Sequence, residues 1–261
     1  MQGGVLPERP DFAGIRDVLD VACGPAEWAL QLATQHPDVQ VVGVDLSERI
    51  TLFNRSNAQD NRLHNATFTI MDVTQGLAFA DHSFDLVNAR LIFGFMTPLK
   101  WPALVQECLR VLRPGGSLRM TEGDASLSNS AATERFNLLF TQAMLHAGRS
   151  FLTSARHASV APMLRSFLLE AGCDAVQERA SVLNYSFGTP AHERWSRNIL
   201  SGAKLIQPFL VEETNVVTQE DYALLVEQLD REMQHETFCA IAFFLTTWGH
   251  KPSHGSAPSE G

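Results

Sequence analysis

The chain predicts an α/β protein with a doubly wound, mostly parallel sheet. Two observations carry this. Short apolar runs alternate with segments of helical period through the first half, and the strand-like runs are apolar on both faces, as strands covered by helices on each side must be. Asp17-Val18-Leu19-Asp20-Val21-Ala22 opens the pattern as a buried strand. Glu27 to Gln35 follows at helical spacing, with Trp28, Leu30, Leu32 and Ala33 on the apolar side; Trp28 is expected to pack there rather than touch a ligand. Gln40 to Val44 is a second strand closed by Asp45, and Ser47 is placed to cap the helix that runs towards Asn57. Ala66 to Ile70 and Ser83 to Asn88 are the third and fourth strands. Trp101 to Leu112 is helical until Pro114-Gly115-Gly116 stops it, and Ser117 to Met120 is the fifth strand.

The second half is more helical. Ala131 to Ala147 and Ser159 to Ala171 read as helices, and Ala175 to Phe187 as a long strand. Pro190 to Leu210 and Gln219 to Gln234 are helical again, and Thr237 to Trp248 is a final strand. The excursion over 188–236 is too long for a simple connection and should form a helical cap, with 126–170, over the sheet edge. One domain over 1–251 is expected, its ligand-binding half at about 15–125, followed by a Pro-, Gly- and Ser-rich tail at 252–261 that reads as disordered.

Composition narrows the function. Lys plus Arg is 20 against 29 for Asp plus Glu, a formal charge of −9, which disfavours broad nucleic-acid binding. No segment approaches the roughly 20 apolar residues of a membrane span. The N-terminus lacks the basic and apolar regions of a signal peptide. Cys23, Cys108, Cys173 and Cys239 lie far apart without a CxxC pair, so no metal site is expected. They read instead as buried thiols of a cytoplasmic protein.

Parallel sheets bind ligands beyond the carboxyl ends of their strands. There the sequence sets a small-residue turn (Ala22, Gly24, Ala26), then Asp45, then Met71-Asp72-Val73, then Asn88-Ala89-Arg90. Small residues admit a ligand close to the backbone. A carboxylate some 20 residues beyond such a turn can accept both hydroxyls of a ribose, and one after the third strand can accept from an exocyclic amine. The turn carries no Lys or Arg for a pyrophosphate, which points to an adenosine ligand of little negative charge.

The segments VLDVACGPAEWALQLA, VVGVDLS, IMDV, FDLVNARLIFGFM and LRVLRPGGSLRMTE, in this order over residues 17 to 122, resemble the successive motifs of the class I S-adenosylmethionine-dependent methyltransferases, in their small-molecule, ubiquinone-type branch. The resemblance implies a Rossmann-like fold of seven strands with the last antiparallel, S-adenosylmethionine as cofactor, and methyl transfer to a small molecule. It implies that Asp20 lies near the methionine amino group, that Ala22, Cys23, Gly24 and Ala26 form the cofactor turn, and that Asp45 meets the ribose with Leu46 against the adenine. Met71, Asp72 and Val73 would meet the adenine amine, and Asn88, Ala89 and Arg90 the methionine portion. Ala26 departs from the family's third glycine; it is expected to bring a methyl close to the cofactor and to impose a negative φ.

No catalytic base stands out. His146, His157, Glu122 and Tyr185 are the candidates; His192 joins the two histidines in the second half, and Asp124 follows the fifth strand with Glu122 on the ligand rim. The apolar cap residues Phe187, Trp195, Ile199, Leu200 and Phe209 suggest an apolar or aromatic acceptor. A homodimer is left open. The alternative is a non-catalytic or repurposed fold of the same kind with a regulatory or scaffolding role. A nicotinamide oxidoreductase is disfavoured because its turn should read GxGxxG.

Overall fold

A computed structural model describes residues 5–6, 12–154, 157 and 160–253. The chain forms an eight-stranded sheet of order β3-β2-β1-β4-β5-β8-β6, with β7 also paired to β8. Strands β1 (Asp17–Val21), β2 (Gln40–Asp45), β3 (Ala66–Ile70), β4 (Phe84–Arg90) and β5 (Leu112–Gly123) are parallel. β8 (Ala240–His250) runs antiparallel to β5, to the two-residue β6 (Leu127–Ser128) and to β7 (Asp174–Asn184). The expected count of seven is one short because a two-residue ladder carries no hydropathy period of its own.

Each sheet face has its own core. On one face Leu19, Val21, Val87, Leu118 and Met120 meet α3 (Lys100–Val111) and α5 (Leu164–Glu170), where Trp101 stacks on Phe167. On the other, Val18, Val41 and Leu86 meet Trp28, Leu32 and Ala33 of α1 (Glu27–Gln35). Trp28 is 5% exposed and its Nε1 donates to the carbonyl of Val5, so it packs as expected. Ser47 caps α2 (Glu48–Asp60) by accepting the N–H of Ile50.

Beyond the antiparallel end, α4 (Ala131–His146), α6 (His192–Pro208) and α7 (Gln219–Met233) share two further cores with β8 and its approach. An ion pair between Arg194 of α6 and Glu27 at the start of α1 joins this helical layer to the parallel half.

Several boundaries move. The segment expected as one helix from Ser159 is a 3-10 turn, Ala161–Met163, followed by α5, with Ser159 itself outside the described residues. α6 ends at Pro208, and Leu210 falls in the π turn Phe209–Glu213. The β5 ladder starts at Leu112, and Arg113–Gly116 bulge out before pairing resumes at Ser117. Gly115 there has φ +78°, and a Cβ on Gly116 would lie 2.8 Å from the carbonyl of Arg113. β8 begins at Ala240, not Thr237. Cys108 and Cys173 are buried as expected, but Cys23 is half-buried and Cys239 exposed on the approach to β8. Most of the tail, 254–261, lies outside the described residues. No helix among the described residues is long and apolar enough to cross a membrane.

Candidate active site

The carboxyl ends of β1 to β4 bring the predicted residues to one rim. β1 ends in a turn with three left-handed residues, Ala22 (φ +51°), Gly24 (φ +51°) and Ala26 (φ +56°). An L-residue pays roughly 1–2 kcal/mol for this conformation, and glycine almost nothing. The expectation of a negative φ at Ala26 is therefore corrected: hydrogen bonds from its N–H to Cys23 and to its carbonyl from Leu30 hold the turn. Its side chain is 1% exposed and belongs to the core with Val18, Trp28 and Ala29, so the methyl points into the protein and not at a ligand. Gly24 differs: a Cβ built there meets nothing within 4 Å, which marks the open side of the turn.

Asp45 ties the turn to β2. Its Oδ2 accepts the N–H of Gly24 and its Oδ1 the N–H of Ser47, both at 2.9 Å. Each oxygen keeps a further lone pair for a ligand hydroxyl. The Asp45 carbonyl takes the N–H of Met71 at 2.9 Å, which sets Met71-Asp72 beside it. Asp72 Oδ1 accepts the hydroxyl (2.7 Å) and N–H (2.9 Å) of Thr74, and these bonds hold its carboxyl below the usual range. Leu46 is 67% exposed at the same rim. Val73 and Ala89, by contrast, are buried in the sheet core. Cys23 sits between Asp20 and Asp45; burial and both acids push its thiol up, so it is protonated.

Asp20 is 3% exposed. Burial pushes its carboxyl up to about 6, against the opposing pull of Asn88, Arg90 and Arg119. Asn88 Nδ2 donates to Asp20 Oδ1 at 2.7 Å. Arg90 stands at the end of β4, half-buried, its guanidinium lowered by desolvation and favoured by Asp20. Arg119 on β5, which the sequence reading passed over, completes the group: its Nη1 donates to Asn88 Oδ1 at 2.7 Å. A charged residue inside the apolar run Leu118 to Met120 was its signal.

The four candidate bases separate. Glu122 lies next to the end of β5, wholly buried, with Oε1 accepting the N–H of Ile92 at 2.8 Å and Oε2 without a hydrogen-bond partner among the described residues; burial pushes it up to about 8 against the pull of the Ile92 and Phe93 N–H groups. It stands under the loop after β4, where Phe95 is 42% exposed and Phe93 meets Phe140 edge to face. Tyr185 is buried between Trp195 and Phe238. His157 is exposed, 3.3 Å from Asp124, and His146 is exposed in the last turn of α4. Trp195, Ile199 and Leu200 pack into the helical layer, and Phe209 lies under Arg149 at 4.5 Å, while Phe187 is 44% exposed. Among the described residues no group of three or more His, Cys, Asp or Glu gathers as metal ligands would.

Residues 18–116, which include this rim from β1 to the glycines before the paired part of β5, match the family model described as a methyltransferase domain. Over these residues the chain is similar to a methyltransferase domain. Its relatives include the demethylmenaquinone methyltransferase of Listeria welshimeri, 33% identical over 145 residues, or 55% of this chain and 59% of that one. The chain thus spans under two thirds of that relative's length. The ubiquinone/menaquinone biosynthesis C-methyltransferase of Dinoroseobacter shibae is 28% identical over 189 residues, 68% of this chain and 73% of its own. The methyltransferase fold extends past the matched segment. Haemonchus contortus phosphoethanolamine N-methyltransferase 2, solved with phosphomonomethylethanolamine and S-adenosylhomocysteine, superposes on 95% of this chain and 51% of its own at a TM-score of 0.56 and 19% identity.

Proposed function

We propose that the protein transfers a methyl group from S-adenosylmethionine to a small apolar or aromatic acceptor. The observation that carries the cofactor is the rim itself: one buried acid near the end of β1, one closing β2 and tied to an open glycine, and one after β3 kept ionised. Asp20 would meet the methionine ammonium, Asp45 the ribose hydroxyls and Asp72 the adenine amine, with Leu46 and Met71 as apolar neighbours of the ring. The chemistry asks little else of the protein. The sulfonium is already a good donor, and in-line displacement draws much of its rate from positioning. The acceptor class draws support from the quinone precursors named for the Listeria and Dinoroseobacter relatives and from Phe93 and Phe95 beside the rim.

Ala26 is one ground for a fold without methyl transfer, and its methyl packs with Val18, Trp28 and Ala29 of the core, which weakens that ground. Four free thiols accord with the reducing cytoplasm in which this reading places the enzyme.

Calorimetric titration with S-adenosylhomocysteine tests the cofactor. Wild type is expected to bind, and Asp45→Ala to lose at least about tenfold in affinity, the loss of a charge-assisted pair. A wild type that does not bind overturns the reading. Radiolabelled methyl transfer to a panel of phenols, quinols and polar metabolites tests the acceptor, and a polar metabolite as best substrate overturns that part.

A further inference from the structure

Asp20 on β1, Asn88 on β4 and Arg119 on β5 are direct ladder partners, Asp20 with Asn88 and Asn88 with Arg119. Their side chains therefore rise from one face of the sheet in a single row. The row is buried: Asp20 is 3% exposed, Asn88 0% and Arg119 7%. It is also bonded throughout, by the two 2.7 Å contacts on either side of the Asn88 amide. A guanidinium offers only donors and an ionised carboxylate only acceptors. Between them the amide has one orientation, oxygen to arginine and nitrogen to aspartate. Asp20 Oδ1 is taken by that donor, and among the described residues no hydrogen bond reaches Oδ2, the oxygen left for a ligand beyond β1.

We propose that Arg119 is a positioning residue of the cofactor site, fixing through Asn88 the direction and the charge of Asp20. The inference rests on the cofactor reading and adds to it a residue two strands from the group it serves. Arg119 acts in two ways. It holds the Asn88 oxygen, so the amide nitrogen stays on Asp20. With Arg90, whose pull is the larger, its charge also favours the ionised form of Asp20 against the burial and the Asp45 charge that oppose it. An uncharged side chain at this position leaves Asp20 protonated over a wider pH range, and a protonated acid is a poor partner for an ammonium group.

The test compares S-adenosylhomocysteine with its analogue lacking the α-amino group, titrated calorimetrically from about pH 5 to about pH 8. Wild type should prefer the amine, with the preference fading as pH falls through the titration of Asp20. In Arg119→Met, affinity for S-adenosylhomocysteine should fall about tenfold near pH 5, the equivalent of a one-unit rise at Asp20, and about twofold near pH 7, while the analogue changes less than about twofold at pH 5. The acidic limb should move to higher pH, and Arg119→Lys should recover part of the loss. Asn88→Ser, which cuts the link with Arg119 in place, should repeat the pattern if Arg119→Met does not fold. Equal losses for both ligands would show a merely structural role and overturn the proposal, as would an unmoved limb with unchanged affinity. A wild type that binds both ligands without preference overturns this inference and leaves the cofactor reading standing; one that binds neither overturns both.

Discussion

Glu122 shows how one residue can be placed by cost as much as by contact. It is wholly buried, it holds the N–H of Ile92, and burial pushes its carboxyl from 4.5 to about 8. The folded protein therefore holds a proton at neutral pH that the unfolded chain releases. Stability must fall as pH rises from the unfolded value to the folded one, and level off above it. Glu122→Gln keeps the acceptor and removes the titration. We expect it to stabilise the protein by about 3 kcal/mol near neutral pH and by almost nothing near pH 4. Urea unfolding at the two pH values measures this; a gain equal at both would mean that folding does not raise the Glu122 carboxyl.

The strands are placed by similar constraints, and Gly43 on β2 is the clearest. It lies between Asp20 of β1 and Phe68 of β3 in the ladder. A Cβ there would lie 2.6 Å from the Phe68 ring and 3.0 Å from Cys23 Sγ. The glycine is thus what lets the Phe68 ring and Cys23 of the turn after β1 pack against β2. Gly43→Ala should cost about 2 kcal/mol by overpacking, read as a lower urea midpoint at constant slope. A neutral outcome would show that the Phe68 ring can swing aside. Most of this scale was legible in the sequence. β1 to β4, α1 and the Ser47 cap were readable because apolar runs of strand length, a 3.6 period and a capping hydroxyl are local signals. The bulge at Arg113–Gly116 and the β6 ladder were not, since both are fixed by the neighbouring strand. The left-handed φ of Ala22 and Ala26 was hidden too, because it is imposed by hydrogen bonds of the turn against the preference of the residue.

At the scale of the whole molecule, the rim proposed for the cofactor was legible because a parallel sheet gathers its strand ends on one edge whatever the loops do. Asp20, Asp45 and Asp72 needed only correct strand boundaries to be placed on that edge. Arg119 was missed for the opposite reason. It sits inside a strand, and its partner Asn88 is 31 residues away in sequence. The helical layer was harder still. Trp195, Ile199 and Leu200 look like a pocket lining when written in a line, and pack inward once α4, α6 and α7 meet.

β8 is the last element of the fold in chain order, yet it sits inside the sheet, with β5 and β6 along one side and β7 along the other. A ribosome therefore delivers this strand after every strand it pairs with. While residues up to about Asp174 emerge, β1 to β5 can already pair among themselves. β7 has its whole ladder with β8, so it must wait, unpaired, while the next 55 residues (185–239) are made. That waiting strand is an open edge in the nascent chain, the kind of edge on which aggregation begins. Its sequence is fit for the delay: Asp174, Gln177, Glu178 and Arg179 keep the first half of it polar until its partner arrives.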